Sequence, residues 1–181
     1  MKVREYIATR EVSQVIRDVD IDKVKRPLFV CGKETPCTIN DLNMGELIQL
    51  QEIRDDISLL FIPCRVLLGV TDAEVLREEY DKVLSFSCWV AKEVGRVNKM
   101  FASTSIPPTP DEQQAGADRM HFGSFGLVDH YARRMGITNH EEVERIPWVI
   151  VHKCLDMDAQ TMRYQRRLRD IMARKKLHKP I

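Results

Sequence analysis

The chain offers little that would advertise a chemistry. No apolar run reaches the roughly 18 residues that a membrane span requires. The best candidate, 57–70, is interrupted by Pro63 and Arg65, so no membrane partner is expected. The opening MKVREYIATREV lacks the apolar core of a secretory signal. Five cysteines, Cys31, Cys37, Cys64, Cys88 and Cys154, are odd in number and scattered. That argues against a disulfide framework and fits a reducing compartment, where most of them should be small buried apolar residues. A soluble, cytoplasmic protein is the expectation. Glycine and proline number only eight each, and hydrophobic residues make up 44%, which excludes wholesale disorder. At 181 residues the chain is long enough to bury one substantial core.

Catalytic and metal motifs are missing too. Histidines stand at 121, 130, 140, 152 and 178, but no pair has the i, i+4 spacing of zinc proteases, and Cys31 and Cys37 are too far apart for a zinc knuckle. Asp129 and His130 are neighbours in sequence and so diverge on a helix. His121 brings no positioned nucleophile to them, and there is neither a GxSxG elbow nor a phosphate loop. Gly123-Ser124-Phe125-Gly126 has no preceding strand and the wrong spacing for a dinucleotide fingerprint. The expectation is a protein that is not an enzyme, with no cofactor and no metal.

What is present is helical periodicity and helix punctuation. A short helix is expected at 9–19. From Pro27 the pattern turns β-prone: LFVCG and TPCTI, separated by a glycine-led turn, read as a hairpin with Pro36 at an edge. Asn43 with Glu46 has the spacing of a capping box. Leu47, Ile48, Leu50, Ile53, Ile57, Leu60 and Phe61 then extend one helical face, which Pro63 should kink or end. Gly69 closes the following CRVLLG segment, and Thr71 with Glu74 repeats the capping pattern ahead of a long helix expected over 72–101. Residues 102–115, with three prolines among polar residues, read as a loop. The fold class is mainly α: a bundle of about five helices with a small amino-terminal β-hairpin. Its organisation is a hairpin-bearing segment, 1–43, followed by a helical domain, 44–181. No internal repeat is evident.

The stretch 115–148 anchors the second half. Phe122, Phe125, Leu127, Val128, Tyr131, Ala132 and Met135 recur at intervals of three and four, which places them on one helical face. Gly136 should close that helix, and Thr138 with Glu141 should open another. Gly123 and Gly126 each cost a helix about 1 kcal/mol relative to Ala, so close helix packing is expected to offset them. Pro147 suits the first turn of a last long helix, reaching about 176. Phe122, Phe125, Tyr131 and Trp148 are the candidate protein-binding residues. Net charge is only +1, yet the carboxy-terminal stretch from 157 holds the one basic block: Arg163, Arg166, Arg167, Arg169, Arg174, Lys175 and Lys176. Such a helix could neutralise nucleic-acid phosphates, meet an acidic protein, or complement its own dipole.

Two segments carry a family resemblance. PLFVCGKETPCTINDLNMGELIQLQEI (27–53) resembles the small β-ribbon and first helix of tail assembly chaperones of tailed phages. FGLVDHYARRMGITNHEEVERIPWVIVHKCL (125–155) resembles their later pattern of an acidic helix start followed by a Pro-aromatic helix opening. The resemblance implies a non-enzymatic phage assembly protein in the host cytoplasm, shielding hydrophobic segments of a tape-measure-type tail protein until tube subunits assemble around it. The alternatives are a virion connector or ring subunit, in which copies or neighbours are bridged as in a homo-oligomer, and a nucleic-acid binder using the basic end. The long proline-bearing stretch and the basic end depart from the family pattern.

Overall fold

The computed structural model describes residues 1–8 and 24–177, with the side chains of Asp118, Lys176 and Leu177 outside the description. The helix expected at 9–19 and the side chain of Lys176 therefore lie outside the description. Among the described residues there are nine α-helices and one antiparallel hairpin. Five of the helices have eight residues or more: α2 (Met44–Gln51), α3 (Asp56–Leu68), α5 (Tyr80–Ser103), α7 (Gly123–Met135) and α9 (Trp148–Leu177). The fold is mainly α with a minor hairpin, as the periodicity indicates. No described helix is long and apolar enough to cross a membrane. Two compact units form, Met1–Asn98 and Lys99–Ile181, whereas composition suggested a division at 43/44; the hairpin shares its unit with helices α2 and α3.

In the first unit the hairpin pairs β1 (Phe29–Val30) with β2 (Lys33–Glu34). The turn is Cys31-Gly32, both left-handed at φ 52° and 72°. Such a pair of positive φ values is what a two-residue connection between twisted strands demands. The second strand is thus the Lys-Glu pair rather than the TPCTI run. A ribbon this small cannot stand alone, and three contacts fix it. Val30 is buried, Lys33 Nζ donates to the Leu68 carbonyl at 2.7 Å, and the Cys31 amide donates to Glu78 Oε2 at 2.7 Å. The lysine lies at the carbonyl end of α3, where a cation meets both an unpaired acceptor and the negative end of the dipole.

Helix boundaries follow local caps where those exist. Asn43 and Glu46 form the reciprocal capping box, at 2.8 and 2.9 Å. Gly69 closes α3 in the left-handed conformation at φ 59°. The apolar face read as one helix through 47–61 is divided, because Asp55 accepts from the Ser58 amide and starts α3 afresh. Pro63 does not end α3; it lies buried inside it. The helix expected over 72–101 is also split, into α4 (Asp72–Val75) and α5. The amino-terminal segment occupies the gap. Val3 N donates to Glu78 O, Arg4 N to Leu76 O, and Tyr80 N to Met1 O, while α1 (Val3–Ala8) seats Tyr6 on Tyr80 with ring centroids 3.7 Å apart. Backbone groups that a continuous helix would bond internally are spent on that segment.

The cysteines are less uniformly buried than their type suggests. Only Cys64 and Cys88 are buried, Cys31 and Cys154 are intermediate, and Cys37 is exposed. Burial, with Glu78 nearby, pushes the Cys31 thiol up to about 11; burial, with Cys31 and Glu78 adding, pushes the Cys64 thiol up to about 12. Since the thiolate is the nucleophile, both stay protonated and unreactive at pH 8. Iodoacetamide at pH 8 is expected to label Cys37 well ahead of Cys31 and Cys64, as read by peptide mass spectrometry. Equal labelling of the three would contradict this packing.

Candidate protein-binding surface

The second unit is built on α7 and α9. Gly123 opens α7 with φ +57°, a conformation that a residue with a Cβ adopts at a cost. Gly126 lies against the Cβ of Phe122; a Cβ there would approach it closer than 3.0 Å. The two glycines are explained by the first turn of their own helix, not by contact with a neighbouring one. Gly136 closes α7 with φ +68°, as its position indicates. The next helix, α8 (His140–Glu144), is capped by Asn139, whose side chain accepts from Glu141 N at 3.0 Å. Thr138 is therefore displaced from the expected capping role by its neighbour, whose longer amide reaches the same orphan amide group.

The four candidate binding residues separate into two pairs. Trp148 and Tyr131 are 1% and 2% exposed and belong to the core. Trp148 packs near Phe101 (6.0 Å between rings), and Phe101 meets His152 edge-on at 5.3 Å. His152 Nε2 donates to the Met100 carbonyl at 3.2 Å. Burial, reinforced by Cys154, raises the Tyr131 phenol. Phe122 and Phe125 are instead 68% and 63% exposed, and Met120 beside them is exposed as well. Phe122 occupies the cap position of α7, so its ring falls off the helical face with which its spacing would group it. Phe125 rests one side on the His140 ring, 5.0 Å away.

Polar groups around α7 are engaged with one another. Asp129 takes Arg133 at 2.9 Å and His140 at 3.3 Å; Asp158 takes Arg134 at 2.7 Å and His130 at 3.5 Å. These pairs tie α7 to α8 and α9. A shallow depression of about 210 Å³ lies beside them, lined by Thr104, Ile106, His130, Leu155, Asp158, Ala159 and Met162. Its carboxylate is already held by a guanidinium. Among the described residues no group of three or more His, Cys, Asp or Glu could hold a metal ion.

The basic block is not one surface. Arg163 donates to the carbonyls of Ser103 and Ser105, and Arg166 donates to Pro107 O at 2.7 Å while pairing with Glu112 at 3.1 Å. Both guanidinium groups hold the backbone of the 103–107 stretch. The expected loop is also partly helical: α6 (Pro110–Gln114) begins there with a full Thr109/Glu112 capping box and proline in its first turn. That box has the same spacing as those at 43 and 71, but the run of prolines hid it. The Thr109 amide, with Arg166 adding, holds the Glu112 carboxyl below its usual range. Arg167, Arg169, Arg174 and Lys175 lie on the exposed outer part of α9. That outer part also carries Tyr164, Leu168, Ile171 and Met172, all exposed.

Searches against family models, curated proteins and solved structures found no match to this chain.

Proposed function

We propose that the protein works by binding another polypeptide and shielding its apolar segments during assembly, without making or breaking bonds. The observation that carries the reading is the exposed group Met120, Phe122 and Phe125 at the start of α7. Exposed aromatic residues grouped on a surface mark contact sites more often than decoration. Covering two phenylalanine rings is worth roughly 1.5–3 kcal/mol each before the cost of association. In its finer form, which rests on the resemblance of 27–53 and 125–155, the protein is a tail-assembly-chaperone-like factor for a tape-measure-type client.

Replacing Phe122 and Phe125 together by Ser tests this. The variant should remain folded, within about 1 kcal/mol of the parent, because neither ring lies in the core. Capture of the partner on co-purification from the native cells should fall by about tenfold or more. Unchanged capture would remove this surface from the function. A chaperone should also be missing from purified particles; a fixed copy number within them would support the connector reading instead.

A further inference from the structure

Helix α9 has two faces that serve different ends. Trp148, Val151 and Ala159 are buried against their own unit. Leu168 stands about two and a half turns beyond Ala159 and so points to the opposite side. Met157, Tyr164, Leu168, Ile171 and Met172 share that opposite side at three- and four-residue steps. Tyr164, Ile171 and Met172 are each more than half exposed and Leu168 is 41% exposed. From Arg167 through Lys175 every residue is exposed, a length of roughly 13 Å of helix. A solvated helix end would have polar residues all round; this one repeats its apolar residues in a heptad seam, Tyr164, Leu168 and Ile171.

We propose that this outer face of α9 docks an acidic amphipathic helix of a partner polypeptide; the assignment rests on the protein-binding reading above and specifies its partner. Charge decides the occupant. Arg167 flanks the seam, Lys175 continues its line, and Asp170 is the one acidic residue between 167 and 175. Positions flanking a heptad seam choose partners by opposite charge. In a parallel second copy Arg167 would face Met172, and the Lys175 side chains would meet each other. In an antiparallel copy the arginine flanks would oppose. Neither arrangement supplies an acid to Arg167 or Lys175, whereas a helix with Glu beside its apolar stripe does. Nucleic acid is the poorer fit, since the apolar seam would be laid against phosphates.

The test uses the full chain and synthetic probe helices of about three heptads, with Leu in the seam and either Glu or Lys along both flanks. The Glu probe should bind and the Lys probe should not. Leu168→Ser with Ile171→Ser should weaken the Glu probe by about tenfold or more, without change in far-UV circular dichroism, because both residues are exposed. Arg167→Glu with Lys175→Glu should reverse the preference between the two probes. The proposal is overturned if the Glu probe fails to bind, if both probes bind alike, or if the serine pair changes nothing. It is equally overturned if the seam is taken by phosphatidylserine vesicles, by a single-stranded oligonucleotide, or by a second copy in sedimentation. The two readings fail separately. Indifference to the probes with partner capture intact removes only this assignment; probe binding with no partner captured removes only the broader reading.

Discussion

Trp148→Ala is expected to cost about 3–5 kcal/mol, the range for deleting a fully buried large aromatic side chain. Trp148 is only 1% exposed, lies near Phe101 and His152, and opens α9 immediately after Pro147. Its removal leaves a void at the point where α9 begins, and nothing on a helix start can collapse inward to fill it without shifting the helix. Native domains hold only about 5–15 kcal/mol in reserve, so the loss is a large fraction of the whole. The expected result is a much lowered denaturant midpoint by far-UV circular dichroism. Trp89 is then the remaining tryptophan, and its fluorescence separately follows the first unit. A midpoint within experimental error of the parent would contradict the core assignment of Trp148 and return it to the candidate binding residues.

Phe86→Ala should have a comparable effect in the first unit, again about 3–5 kcal/mol. Phe86 is fully buried in α5 and stacks near Trp89, with ring centroids 5.9 Å apart. Its helical neighbours Val83 and Val90 are also buried, and β-branched chains have little rotamer freedom with which to refill the space. Besides a lower midpoint, the emission of Trp89 should shift to the red as its apolar neighbour is lost. The two substitutions contrast with Phe122 and Phe125, equally aromatic, whose removal should leave stability almost untouched. That contrast separates packing from recognition.

Much of the architecture could be read from local rules. Asn43 with Glu46, Thr71 with Glu74, and the left-handed glycines at 69 and 136 each act within one helical turn, so their spacing is enough. Boundaries fixed by distant partners could not be read this way. The interval 76–79 is non-helical because Val3 and Arg4 donate to its Glu78 and Leu76 carbonyls, and Met1 O takes the Tyr80 amide just after it; no local pattern announces a partner more than seventy positions away. Pro63 shows the reverse case, a breaker tolerated because burial in α3 outweighs its missing hydrogen bond.

The candidate surface was less accessible to sequence reasoning, for a related reason. Periodicity sorts residues onto a helical face but does not say whether that face meets a neighbour. Tyr131 and Trp148 meet one, whereas Leu168 and Ile171, equally periodic, lie exposed on the opposite side of α9. The same holds for charge. Arg163 and Arg167 look alike in sequence, yet one guanidinium is spent on main-chain carbonyls and the other stands at the surface.

The clasp that Arg163 and Arg166 place on the 103–107 carbonyls has a consequence for proteolysis. Proline-bearing connections are ordinary sites of nicking when they hang loose, but a protease must draw an extended backbone into its cleft, and here that backbone is anchored from a helix about sixty positions downstream. The protection expected for this connector therefore depends on α9, and cleavage between Lys153 and Arg163 is expected to expose a connector far from the cut.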